Sequence, residues 1–150
     1  MFRIVGFNTI QETLKALLPF NASNLLLEEI VMQSSFIQFH GVGECLFKKG
    51  DSPLGFYFIL HGKAEILIPG TESIKLVSGQ MGGLDAFLEE EKLLFDVISC
   101  SPHLESIFID RRCYEFIIKQ APFKKFIDQS LLRYVGAYRQ LLVPPQSMFL

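Results

Sequence analysis

Between Ser34 and Asp110 the apolar residues fall into short runs with a period near two, and that pattern restricts the chain to few architectures. The runs "SSFIQFH", "ECLFKK", "FYFILH", "AEILI", "IKLVS", "FDVISC" and "LESIFID" are rich in β-branched or aromatic residues and bounded by Gly, Pro or Asp-Ser signals. They predict seven or more strands, joined by tight turns such as "HGK" at 61–63 and "PGTES" at 69–73. Many short strands at even spacing favour a jelly-roll barrel, the double-stranded β-helix, in which closure removes strand edges that would otherwise pair with other chains.

On either side the period becomes helical. Thr9 and Glu12 form a capping box ahead of Ile10, Leu14, Leu17 and Leu18, and Pro19 stops that helix. A second helix is predicted to start near Ser23 and run through "NLLLEEIVMQ". After Asp110 comes "RRCYEFIIKQ", then a last helix opening with Pro122 at its first position and ending before Pro144 and Pro145. Phe123, Ile127, Leu131, Tyr134, Tyr138 and Leu141 recur every three or four residues along it, one apolar stripe that faces the roll, a second chain, or both. The expected fold is therefore mainly β with two N-terminal and two C-terminal helices. It forms one domain over 1–150, with the roll at about 34–110 and the C-terminal helices at about 111–143.

Composition sets limits on function. At 150 residues and 49% hydrophobic content the chain can bury roughly 70% of the surface its unfolded form exposes, without a metal or disulfide. A net charge of −2 offers no basic footprint, which argues against direct nucleic-acid contact. No uncharged run reaches the ~18 residues of a membrane span, and "MFRIVGFNTIQETLK" is not a secretory leader, so a cytoplasmic protein with no membrane contact is expected. Cys45, Cys100 and Cys113 lack any CxxC spacing and are expected to be buried, reduced thiols.

One segment narrows the field further. In "GECLFKKGDSPLGFYFILHGKAEILI" (43–68), Gly50-Asp51 and Gly62 supply turn conformations, and Tyr57, Ile59, Ala64 and Ile66 alternate toward one barrel face. With Gly43-Glu44, Leu46 and the aromatic pair before Ile59, this run resembles the hallmark of the cyclic nucleotide-binding domain. The resemblance spans about residues 12–142 and is closest to the effector half of the catabolite activator group. The helix-turn-helix that usually follows there is not expected here. It implies a regulatory role, and a last helix that caps the pocket or pairs subunits in a homodimer or with a partner protein.

In that family the ligand is held by a cassette reading Phe-Gly-Glu-Leu-Ala-Leu and, about nine residues on, an Arg-Ala or Arg-Ser step. The Glu takes the ribose 2′-hydroxyl, while the Arg and the N–H groups of a short helix take the cyclic phosphate. The corresponding stretch is "MGGLDAFLEEEKLLFDVIS". Met81 stands for the Phe, Gly82 for the Gly, Gly83 for the Glu and Leu84 for the Leu, with Leu93-Leu94 at the Arg-Ser step. A slip of one residue would bring Lys92 to the Arg position, a point charge without the guanidinium fork.

A hydrogen bond to a charged group contributes about 1.5–3 kcal/mol, so losing both side chains costs on the order of 10² to 10⁴ in affinity. The expected function is a non-catalytic regulatory module with a weakened or lost cyclic-nucleotide site, filled by Leu93, Leu94 and Phe87 and acting through protein contacts. The alternative is a genuine sensor that takes cAMP, cGMP or another small ligand through Gly82, Gly83 and Leu84. A cupin-like enzyme is a distant third: His40, His61 and His103 are scattered, with no HxH pair to ligate a metal from one strand.

Overall fold

Ser23 accepts a hydrogen bond from the Leu26 amide at 3.2 Å and so fixes the start of one helix, as its residue type predicts. The computed structural model describes residues 7–130. The helix begun by Ser23 is α2, Asn24–Gln33, and it follows α1, Phe7–Leu17. The α1 helix begins ahead of the Thr9–Glu12 box: Thr9 lies within it, and its carbonyl accepts the Thr13 hydroxyl at 2.9 Å. Its position is set by burial of Ile10, Leu14 and Leu18, which outweighs one cap.

Eight strands then follow among the described residues: β1 (Ser35–Phe39), β2 (Cys45–Phe47), β3 (Gly55–His61), β4 (Ala64–Leu67), β5 (Ile74–Leu76), β6 (Met81–Gly82), β7 (Asp96–Ser99) and β8 (Leu104–Asp110). A short helix, α3 (Leu84–Glu89), joins β6 to β7. Asp110 caps α4 (Arg111–Ile118) by accepting from the Cys113 amide at 2.9 Å. A fifth helix, α5, starts at residue 121 and continues to the end of the described segment at 130.

The strands form two antiparallel four-stranded sheets, in the orders β1-β8-β3-β6 and β2-β7-β4-β5. Among the described residues the two sheets share no ladder, closure into a barrel is not shown, and the helices number five with α3 included. Strand β3 shows how the layers are built. Phe56, Phe58 and Leu60 pack with Ile10, Leu14, Leu27, Ile30 and Ile117 beneath the helices. Ile59 and Tyr57 turn to the other face, toward Ile66, Leu76 and Val97 of the second sheet. Alternation at period two thus feeds two cores from one strand.

Gly62 illustrates why the hallmark glycines are specific. Its φ is +89°, and a Cβ there would strike the His103 carbonyl and lie 2.8 Å from Ser101 Oγ. Phe123 and Ile127 of α5 are buried in the chain's own helix-facing core, with the Phe123 ring edge-on to Phe20 at 4.8 Å. Leu131, Tyr134, Tyr138 and Leu141 lie outside the described residues. The cysteines depart from expectation: Cys113 is buried, but Cys45 is exposed and Cys100 intermediate. Cys45 is the exposed first residue of a three-residue strand whose other two residues, Leu46 and Phe47, are buried.

Candidate functional site

Gly50 and Asp51, from the hallmark run, brace the loop that leads out of the cassette, and Glu44, from the same run, braces the far end of β7. The Glu44 carboxylate accepts from the His40 amide at 2.8 Å, and the Glu44 amide donates to the Ser99 hydroxyl at 3.0 Å. The Gly50 amide donates to the Leu93 carbonyl at 2.8 Å, and the Leu93 amide donates to the Asp51 carbonyl at 2.9 Å. These two bonds fix the direction of the Leu93 side chain. It is buried among Leu46, Phe47, Ile59, Ile66 and Val97 between the sheets, whereas Leu94 is 55% exposed.

The cassette itself is a glycine turn feeding a helix. Gly82 ends β6, opposite Tyr57 of β3. Gly83 sits at the N-cap of α3 with φ +85°, a left-handed conformation that a side chain penalises by about 1–2 kcal/mol. Its missing side chain has a specific neighbour. A Cβ on Gly83 would collide with Cε2 of Phe47 and lie 2.7 Å from Cζ of the same ring. A glutamate at this position would strain a left-handed backbone and would have to displace the Phe47 ring. Phe47 in turn stacks edge-on to Tyr57 at 5.1 Å, and Tyr57 to Phe108 at 4.9 Å, so aromatic rings line this part of the interior.

The N-terminus of α3 carries its own acid. Burial holds the Asp85 carboxyl above its usual range, against the pull of hydrogen bonds from the Ala86 amide and its own amide and with the Glu91 charge adding to the rise. Glu89, Glu90, Glu91 and Lys92 are all exposed, so Lys92 is directed to solvent and not to the turn. Phe87 is buried, but on the helix side of the first sheet, against Phe56 at 5.5 Å and Tyr114 at 5.5 Å.

Gly82, Gly83 and Leu84 thus follow one another into α3, but Leu84 and Phe87 are buried in the helix-side core, Leu93 lies between the sheets, and Lys92 and Leu94 are exposed. Phe47 is the residue that sequence spacing overlooks. It stands 36 positions before Gly83 on a different sheet, and only its place in the hallmark run marks it.

Cavities elsewhere are lined by described residues. An open groove of about 250 Å³, lined by residues including Lys49, Leu67, Phe95 and Asp96, runs along the β4–β5 turn and the start of β7. An apolar void of about 20 Å³ lies under the helices among Leu14, Phe58 and Ile127. Among the described residues no group of three or more His, Cys, Asp or Glu side chains could hold a metal ion. No described helix is long and apolar enough to cross a membrane.

No family model matches the sequence, and no curated protein does. Solved structures match closely in shape. PKAR CBD2 bound to Sp-2Cl-cAMPS superposes with a TM-score of 0.74 at 12% identity, over 93% of this chain and 94% of that one. The regulatory subunit of a cAMP-independent protein kinase A from Trypanosoma brucei, as a triple mutant bound to cAMP in the A site, gives 0.62 at 22% identity over 81% of this chain. A cAMP-binding acyltransferase from Mycobacterium smegmatis, also a mutant, gives 0.64 at 19% identity over 85%. This chain spans 45% and 40% of the length of those last two. At these identities the likeness is one of architecture: the chain has the fold of the cyclic nucleotide-binding domain.

Proposed function

We propose that this chain is a non-catalytic regulatory module of the cyclic nucleotide-binding type, whose nucleotide site is weakened or lost and which acts through contact with another protein chain. The carrying observation is the Phe47 ring, which fills the space where a side chain on Gly83 would begin. Leu93 adds to it by burying an aliphatic side chain between the sheets at the position that aligns with the phosphate arginine. Each such burial stabilises the unliganded chain by about 1.5–3 kcal/mol, so the interior is held closed without a ligand. A cAMP-independent regulator among the structural neighbours is consistent with this reading; one of the three substitutions in its cAMP-bound mutant introduces an arginine.

The second reading, a sensor that takes a cyclic nucleotide weakly, is favoured by the Gly82–Gly83 turn into α3 and by the cAMP bound to structural neighbours. Titration calorimetry and thermal shift with cAMP, cGMP and cyclic dinucleotides separate the two. No heat and no shift are expected. Stabilisation of about 2.7 kcal/mol, the amount a ligand gives at 100 times its Kd, sinks the silent-site reading. Partner contact is assigned to the C-terminal stripe beyond Ile127, at Leu131, Tyr134, Tyr138 and Leu141. Light scattering that finds a monomer at high concentration removes self-association.

A further inference from the structure

The chain's three histidines are scattered along the sequence, at 40, 61 and 103, yet the fold brings two of them face to face. Strands β1 and β8 are antiparallel, with Gln38 opposite Glu105 and Phe39 opposite Leu104, and one further step of that register sets His40 opposite His103. The two rings are edge-on with centroids 6.5 Å apart, and both residues are exposed. Positions opposite one another on antiparallel strands have Cβ atoms about 4.5–5.5 Å apart, close enough for two imidazoles to share one ion. The backbone beneath each ring is held. The His40 amide donates to the Glu44 carboxylate at 2.8 Å, and the Gly41 amide reaches the same oxygen at 3.4 Å. The His103 carbonyl accepts from the Ser101 hydroxyl at 2.9 Å and packs against Gly62, where a Cβ has no room.

We propose that His40 and His103 form a two-histidine site for a divalent transition-metal ion of the kind that suits imidazole, such as nickel or zinc, tying the end of β1 to the start of β8. Imidazoles on one tetrahedral zinc stand about 5 Å apart between centroids, given Zn–N bonds of about 2.0–2.1 Å, so rotation of the exposed rings through about 1.5 Å completes the chelate. Among the described residues no third His, Cys, Asp or Glu joins the pair in a metal-binding group, so water fills the other positions. The Glu44 carboxylate adds negative charge beside the pair through its bond to the His40 amide. A bound ion braces the 40–44 turn, which Gly43 and Glu44 join to Ser99 at the end of β7. The site lies apart from the cassette and stands whether or not that cassette takes a nucleotide.

Titration calorimetry and thermal melts of the full, untagged chain with nickel chloride and with zinc chloride test the site. One ion per chain is expected to bind and to raise the Tm, because it binds the folded form alone. Either His40→Gln or His103→Gln should weaken binding at least about tenfold, since losing even an outer partner of a metal ligand costs about 10–100-fold. His61→Gln and Cys45→Ser should bind as the wild type does, which separates this pair from the third histidine and from the exposed thiol. Nickel should also broaden the imidazole NMR signals of His40 and His103 in the wild type ahead of those of His61, a readout that needs no variant to fold. No binding at millimolar nickel, binding that survives both His40→Gln and His103→Gln, or binding lost in His61→Gln or Cys45→Ser overturns the proposal.

Discussion

Arg111 holds its guanidinium 4.5 Å from the centroid of the Phe87 ring, and the same side chain reaches the exposed Glu90 carboxylate at 3.6 Å. The ring contact is the stronger of the two, because Phe87 is buried whereas the Glu90 side chain is 77% exposed. Arg111→Ala is expected to lose about 1 kcal/mol, mostly through the ring. Glu90→Gln should cost no more than about 0.5 kcal/mol, as exposed ion pairs do. Urea denaturation midpoints compare the two, and equal losses would assign the contact to the ion pair.

Gly83 and Gly82 adjoin, but they tolerate a methyl group differently. Gly83→Ala meets both a left-handed backbone and the Phe47 ring. The cost should be about 2–4 kcal/mol, from about 1–2 for the conformation and the rest for overpacking. At Gly82 the nearest atom to a Cβ is the movable Cδ1 of Leu76 at 3.1 Å, so Gly82→Ala should lose less. Thermal melts that rank the two in the opposite order would show that Phe47 gives way freely.

Phe123 is 5% exposed and packs edge-on against Phe20, so it belongs to the core of its own chain. Phe123→Ala is expected to cost about 3–5 kcal/mol, by the same amount at low and high protein concentration. A loss that grows with dilution would instead place Phe123 at an interface between chains.

The three thiols should separate in alkylation of the native protein. Cys113 is buried and its thiol is pushed up to about 12 by burial, with the Asp110 charge adding to the effect. It should stay unmodified until urea unfolds the chain. Cys45 is accessible, yet partial burial and then Asp96 hold its thiol above the usual value, so its reaction should be slow at neutral pH. Cys113 also predicts an alkaline limit. Its unfolded form ionises near 9.0 while the folded form resists until about 12, so its contribution is intact below 9 and falls away as pH rises through that window. Cys113→Ala should flatten the loss of stability with pH between those values.

Much of this fold can be read locally. The Ser23 and Asp110 caps and the period-two runs depend on neighbours a few residues away, and each appears where the sequence implies it, whereas the close approach that requires a glycine at 62 comes from His103 and Ser101. Strand β6 escapes such reading because two residues carry no period. The start of α1 escapes it because the burial of Ile10, Leu14 and Leu18 overrides a capping box.

The candidate site divides in the same way. The resemblance read in the sequence puts the cassette at residues 81–99 and aligns Gly83 and Leu93, as an expectation, with the family's glutamate and arginine. It could not tell that Leu93 turns inward and Leu94 outward, because that choice is made by hydrogen bonds to Gly50 and Asp51, more than forty residues earlier. Nor could it show that Phe87 serves the helix-side core while the Phe47 ring packs against Gly83. Turns and strands follow from short-range sterics and alternation. Which side chain fills a given space is settled only when distant segments pack, and in this chain that packing put an aromatic ring against the glycine.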